Sequence, residues 1–208
     1  MNCNAAAEWP DWNGQTVIVI GTGPSAAATP LAGARGLVRT VAIKTSILLA
    51  PWADALYGAD KGWWIANQGA KDFHGLKFSP GPSICKVYPD IRLIRLKPVA
   101  DILTKEIGVI GCGLKTGGGH SGFQAVNLAV QFGAKRIVLV GFDMTLTHGA
   151  HWHSDYRGIA KPDANRVRSW RESFDACAPQ FEQLGVEVLN ASPISALQAY
   201  RKVPSWDC

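Results

Sequence analysis

Three of the five histidines fall in one short polar stretch, His148-Gly149-Ala150-His151-Trp152-His153-Ser154-Asp155. Imidazole titrates near neutral pH, so a histidine in such a loop can take a proton from an attacking hydroxyl. Asp143 or Asp155 could orient the ring. The His-x-His spacing also suits zinc, but neither a cysteine nor a well-placed carboxylate completes a tetrahedral set, so no metal ligand is assigned. The bland alternative is a polar loop that is merely histidine-rich. His148 lies nearest the preceding apolar run, where it can only orient Asp143 or neighbouring backbone. His151 and His153 alternate about Trp152, so in an extended stretch they share one face, and either could face a cleft.

Two glycine-bearing loops are suited to anions. Gly21-Thr22-Gly23-Pro24-Ser25 follows the apolar run TVIVI and opens a small-residue segment. Glycines let backbone approach a ligand, and free amides at a helix start favour negative charge. The loop lacks the third glycine of the dinucleotide fingerprint and the Gly-Lys-Ser/Thr of a Walker loop. It reads as a nucleotide or phosphate contact, or else as a tight turn without a ligand. Thr116-Gly117-Gly118-Gly119-His120-Ser121-Gly122 feeds a second helix start. There Gly119, Ser121 and Gly122 could hold a phosphate or a sugar hydroxyl, or Ser121 is a plain N-cap on a surface hinge. From Pro51-Trp52-Ala53-Asp54 through Asp60-Lys61-Gly62-Trp63-Trp64, tryptophans beside acids either wall a cleft around a base or sugar or pack in the core.

The elements that must position these residues follow from apolar patterning. Thr16–Ile20 and Arg136–Val140 are continuous β-branched or aliphatic runs, as expected of strands buried on both faces. Residues 38–43 predict a second strand, 63–65 a short third one, 91–96 a strand in which basic and aliphatic residues alternate, and 186–189 the last. Helices are expected over 26–28 with 31–34, 50–57, 122–132 with Gly133 closing it, 164–184 with Pro179 kinking or ending it, and 194–200. Residues 67–90 read as loop. Strands alternating with helices predict one Rossmann-like α/β domain over residues 1–208, with a mainly parallel sheet and helices on both faces. Ligands of such sheets sit at the carboxyl ends of the strands. Residues 144–163 have no hydrophobic period and read as a lid loop.

Composition narrows the function classes. With 208 residues, 47% hydrophobic and 18% charged, the chain can bury a core, which excludes disorder and fibrous repeats. The net charge of +5 comes from scattered Lys and Arg, which favours a soluble surface, then a phosphorylated ligand, over a nucleic-acid stripe. Cys3, Cys85, Cys112, Cys177 and Cys208 form an odd set without CxxC, as expected of reduced thiols in a cytoplasm. No apolar run reaches the ~20 residues needed to cross a bilayer, and residues 1–14 lack the pattern of a secretory signal.

Gly21-Thr22-Gly23-Pro24-Ser25 resembles the GNGPS loop of bacterial sialyltransferases that use CMP-sialic acid. It also resembles the same loop of the related 6-hydroxymethylpterin pyrophosphokinase-like proteins and flagellin motility accessory factors. Ser121-Gly122 with its helix, followed by Gly133-Ala134-Lys135-Arg136-Ile137-Val138-Leu139-Val140-Gly141-Phe142-Asp143, is similar to the family's Ser/Thr-Gly helix and its G-x-K-x-I-x-L-x-G-x-D strand. PWADALYGAD and HGAHWH look like small proteins carried by phages, which would place the chain in a host cytoplasm. The resemblance implies that Gly21, Gly23, Pro24, Ser25, Ser121 and Gly122 hold a cytidine nucleotide. It implies that His153, of the His153-Ser154 pair, is the general base, and that Tyr156 is the nearest match for a tyrosine polarising the leaving phosphate. Thr22 and Lys44 stand where the family has asparagines, and Lys44 could pair directly with a phosphate.

The expectation is a nucleotide-binding transferase that moves a glycosyl group from a nucleotide-sugar donor. A nucleotide-linked small molecule is its partner, it has no covalently bound cofactor, and a homo-oligomer stays open. The alternatives are an ATP- and magnesium-dependent pyrophosphokinase-like enzyme with Asp143 on the metal, and a non-catalytic phage-encoded binding module.

Overall fold

Thr16–Ile20 forms β1, and its side chains alternate between two buried faces: Val17 and Val19 enter one apolar cluster, Ile18 and Ile20 the other. A strand covered on both sides needs no polar face, which is why the run is continuously apolar. The computed structural model describes residues 9–103, 106–115, 119–154 and 161–208. The other strands are β2 (Arg39–Ile43), β3 (Ala55–Tyr57), β4 (Leu76–Ser79), β5 (Ile91–Leu93), β6 (Arg95–Lys97), β7 (Val109–Gly111), β8 (Arg136–Val140), β9 (Glu187–Asn190) and β10 (Arg201–Lys202). Eight of them form one sheet in the order β10-β9-β8-β1-β2-β3-β4-β5, while β6 and β7 pair apart from it. Every pairing among the described residues is parallel.

The helices are α1 (Lys61–Ala66), α2 (Pro82–Val87), α3 (Ser121–Gln131), α4 (Ala164–Asp175) and α5 (Ala178–Gln183). Phe123, Val126 and Leu128 of α3, Phe174 of α4 and Phe181 of α5 cover one face of the sheet. Trp63 and Trp64 of α1 and Ile84 of α2, with Ala26, Leu31 and Ala34, cover the other. This is a single α/β domain with helices on both faces. No helix among the described residues is long and apolar enough to cross a membrane.

Several local expectations fail for identifiable reasons. Residues 26–34 form two 3-10 turns rather than a helix, and Pro30, which disfavours helical backbone before it, separates them. Residues 50–57 end in β3, and 63–65 lie in α1; both elements are too short to display a period. The expected loop at 67–90 contains β4 and α2. Residues 91–96 split between β5 and β6, in different sheets. The long helix breaks into α4 and α5, with Pro179 in the first turn of α5. Residues 194–200 form no helix because their donors are taken elsewhere: Ala196 N–H by the Asp143 carbonyl, Gln198 and Ala199 N–H by the Asp175 carboxylate.

The strand order reverses at β1, with β2 on one side and β8 on the other. Loops leaving the carboxyl ends of β1 and β8 therefore diverge to opposite faces and leave a crevice between them.

Candidate functional site

The walls of that crevice are built by two interlocked loops. Gly21 N–H donates to Val140 O at 2.7 Å and Gly23 N–H to Gly141 O at 2.9 Å. A Cβ on Gly23 would lie 2.6 Å from Gly141 O and 2.7 Å from Asp143 Oδ2. Glycine is thus required here for contact with the β8 loop, whatever the ligand. Gly23→Ala is expected to cost about 1–3 kcal/mol through overpacking. Chemical denaturation reads this as a lower midpoint at constant slope, and an unmoved midpoint would mean the loops are not interlocked.

Asp143 fastens the same junction. It is 2% exposed, and Ser25 donates its N–H to Oδ2 at 2.8 Å and its hydroxyl to Oδ1. Asp143 therefore faces Ser25 and not a histidine. Pro24 and Ser25 open the 3-10 turn behind the loop and do not line the cleft, whereas Gly21, Thr22, Gly23 and Asp143 do.

The cleft holds about 420 Å³. From β2 comes Lys44, buried and in left-handed backbone (φ 50), its Nζ 2.8 Å from Asp60 Oδ2. Both residues line the cleft, as does Met144, also at positive φ (49). Strained non-glycine backbone of this kind concentrates at functional sites. Gly119, Ser121 and Gly122 close the floor at the start of α3. Trp63 and Trp64 instead pack against each other in the core, ring centroids 5.0 Å apart. The tryptophan that does wall the cleft is Trp170 of α4.

The histidine loop crosses the opening. Trp152 N–H donates to Thr22 O at 3.0 Å, and its indole N–H reaches Ser46 Oγ at 3.4 Å. This fixes His151 inside the cleft, with Nδ1 3.0 Å from Thr22 Oγ1. His153 lies behind it, its ring stacked parallel on His151 at 5.1 Å and its Nδ1 2.6 Å from Ser154 O. Of the two alternating histidines, His151 lines the cleft and His153 does not. Asp155 and Tyr156 lie outside the described residues, as do residues 116–118.

Lys161, Arg166 and His120 also line the cleft and were not singled out by the sequence. Lys161 and Arg166 flank the Asp163 cap of α4, a place where basic residues ordinarily face solvent. With Lys44 they give the cleft more cationic than acidic side chains, which suits an anionic ligand. Among the described residues no three His, Cys, Asp or Glu side chains group to hold a metal ion.

His120, not Ser121, caps α3: its Nδ1 accepts the Phe123 N–H at 3.2 Å. The ring is 9% exposed and sits among Trp170, Phe123 and Phe174. Burial there pushes its pKa down from 6.5 to about 3. The unfolded chain takes up this proton below about pH 6.5 and the folded chain only below about 3. His120 thus contributes stability that is present above pH 6.5 and is lost as pH falls toward 3, by about 1.4 kcal/mol per unit. His120→Asn, which keeps an N-cap acceptor, is expected to flatten that part of the pH–stability curve. Equal slopes in the two proteins would mean the ring is hydrated.

No protein-family model and no curated protein sequence matches the chain. Solved structures do. The sialyltransferase CstII from Campylobacter jejuni, in complex with the substrate analogue cytidine-5'-monophosphate, aligns with a TM-score of 0.58 at 10% identity, over 92% of this chain and 85% of that one. The sialyltransferase CST-II in complex with a trisaccharide acceptor and CMP aligns with a TM-score of 0.52 at 10% identity, over 90% and 85% of the two chains. At such identities the likeness is one of architecture: this chain shares its α/β fold with these sialyltransferases.

Proposed function

We propose that the chain binds a nucleotide in the β1–β8 crevice and transfers a glycosyl group from a nucleotide-sugar donor, with His151 as the general base. The observation that carries this reading is His151 held by Thr22 inside a cleft at the strand-order reversal, walled by Lys44, Lys161 and Arg166. The CMP bound to similarly folded sialyltransferases supports the choice of nucleotide. With Nδ1–H donating to Thr22, the His151 Nε2 lone pair accepts the proton of the acceptor hydroxyl. That oxygen then bonds to the anomeric carbon as the glycosyl–phosphate bond breaks, and the electron pair leaves on the nucleotide. The Thr22 bond orients the imidazole, and the cationic wall opposes the charge of the leaving phosphate.

The pyrophosphokinase alternative gains no support from the geometry. Its magnesium ligand would be Asp143, whose two oxygens already accept from Ser25.

A thermal-shift panel of CMP, UDP, GDP and ATP, each with and without magnesium, tests the reading. CMP at about a hundred times its Kd should stabilise the chain by about 2.7 kcal/mol, a rise of roughly 5–10 °C. A shift produced by ATP only when magnesium is present would support the kinase-like alternative instead. Release of CMP from a CMP-linked sugar then tests turnover.

A further inference from the structure

His120 uses one ring nitrogen and leaves the other without a partner among the described residues. Because Nδ1 accepts the Phe123 N–H, the proton of the neutral ring is on Nε2. That Nε2 is buried and makes no hydrogen bond among the described residues. Buried donors left unmade are costly and rare, and those that persist call for an explanation. His120 lines the cleft beside Ser121 and Gly122, the first residues of the eleven-residue α3, whose amides precede the first intrahelical bond.

We propose that His120 is a ligand-binding residue whose neutral Nε2–H donates to an anionic oxygen of the molecule that fills the cleft, at a subsite completed by the start of α3. The anionic oxygen is favoured because the helix start places partial positive charge beside the ring. The role is distinct from that of His151. His120 does not exchange a proton during the reaction, since burial keeps it neutral throughout the working pH range. One side chain therefore both caps α3 and grips the ligand, so the helix start and the ligand are held at a fixed distance. The anionic oxygen could belong to a phosphate or to a carboxylate. The proposal rests on the nucleotide reading only for the choice of CMP as a probe.

The experiment is nitrogen NMR of the histidine-labelled chain, free and with CMP, cytidine, inorganic phosphate or acetate added separately. In the free chain His120 should carry its proton on Nε2 from pH 8 to 5; a proton on Nδ1 would overturn the proposal. An anion that occupies the subsite should shift the Nε2–H resonance and slow its exchange. A response to CMP and phosphate but not to cytidine or acetate assigns the oxygen to a phosphate, and a response to acetate assigns it to a carboxylate. His120→Asn keeps the cap but lacks the distal N–H, and is expected to weaken CMP binding about ten- to a hundredfold, the range for one hydrogen bond to a charged group. His120→Gln, whose longer amide reaches toward the Nε2 position, should recover part of that loss. If CMP binds with an unchanged Nε2–H signal and equally well to the Asn variant, the proposal fails while the nucleotide reading stands. If CMP does not bind at all, the nucleotide reading fails, and phosphate and acetate decide the His120 proposal: silence from both overturns it.

Discussion

His151→Ala is expected to lower turnover by about 10²–10⁴-fold with little change in nucleotide affinity. The size is that of a positioned general base, and the split between turnover and binding follows from where the ring lies. His151 sits over the cleft, tied to Thr22, while Lys44, Lys161 and Arg166 supply the charge that a nucleotide would meet. The pH profile of the variant should also lose its ascending limb near neutrality. His153→Ala removes a ring that stacks on His151 and does not line the cleft, so its loss should stay well below the His151 effect. If the His153 variant is the inactive one and the His151 variant keeps its turnover, the base is assigned to the wrong histidine. Loss of activity in both with no change in pH profile would remove the base mechanism altogether.

Asp143→Asn should be the most damaging conservative change in the β8 loop. The carboxylate accepts two bonds from Ser25, and an amide can accept only one while turning its own donor toward the other. Hydrogen bonds to a buried charge are worth about 1.5–3 kcal/mol each, so a loss of about 2–4 kcal/mol is expected. For a chain of this length that lowers Tm by roughly 5–15 °C. Nucleotide affinity should fall with it, because the loop carrying Thr22 loses its side-chain fastening to the β8 loop and keeps only the backbone bonds of Gly21 and Gly23. A variant that keeps its Tm but loses only a magnesium-dependent activity would mean that Asp143 serves a metal and not Ser25.

The parts of the fold legible in the sequence are those whose burial leaves a continuous mark. β1, β8 and α3 are long enough to show an apolar run or a helical stripe, and the loops after β1 and before α3 announce themselves by glycine. β3 and β7 are three residues long and α1 is six, too short for any period, so the strands are defined by their neighbours in a sheet and α1 by its packing against one. The cleft divides in the same way. Thr22, Lys44, Asp60 and His151 follow strands or precede helices and Ser121 opens α3, places where polar residues stand out. Trp170 resembles any apolar residue of a helix face, and only the packing of α4 over α3 brings it to the cleft. His120 reads as one more polar residue in a glycine loop until its two nitrogens are seen in different surroundings. The bond between Asp143 and Ser25 spans 118 positions, a separation across which no local pattern carries information.

The placement of β1 also sets a condition on how the chain is made. Residues 16–20 pair on one side with β2, which follows closely, and on the other with residues 136–140. During synthesis the whole intervening stretch must leave the ribosome before the second partner exists, which takes on the order of 10 s at about 5–20 residues per second. Throughout that interval Val17, Ile18, Val19 and Ile20 present an open, wholly apolar strand edge, the kind of surface that recruits other chains. The strand at the centre of the finished sheet thus waits longest for its second neighbour, and the nascent chain depends most on chaperone cover until β8 emerges.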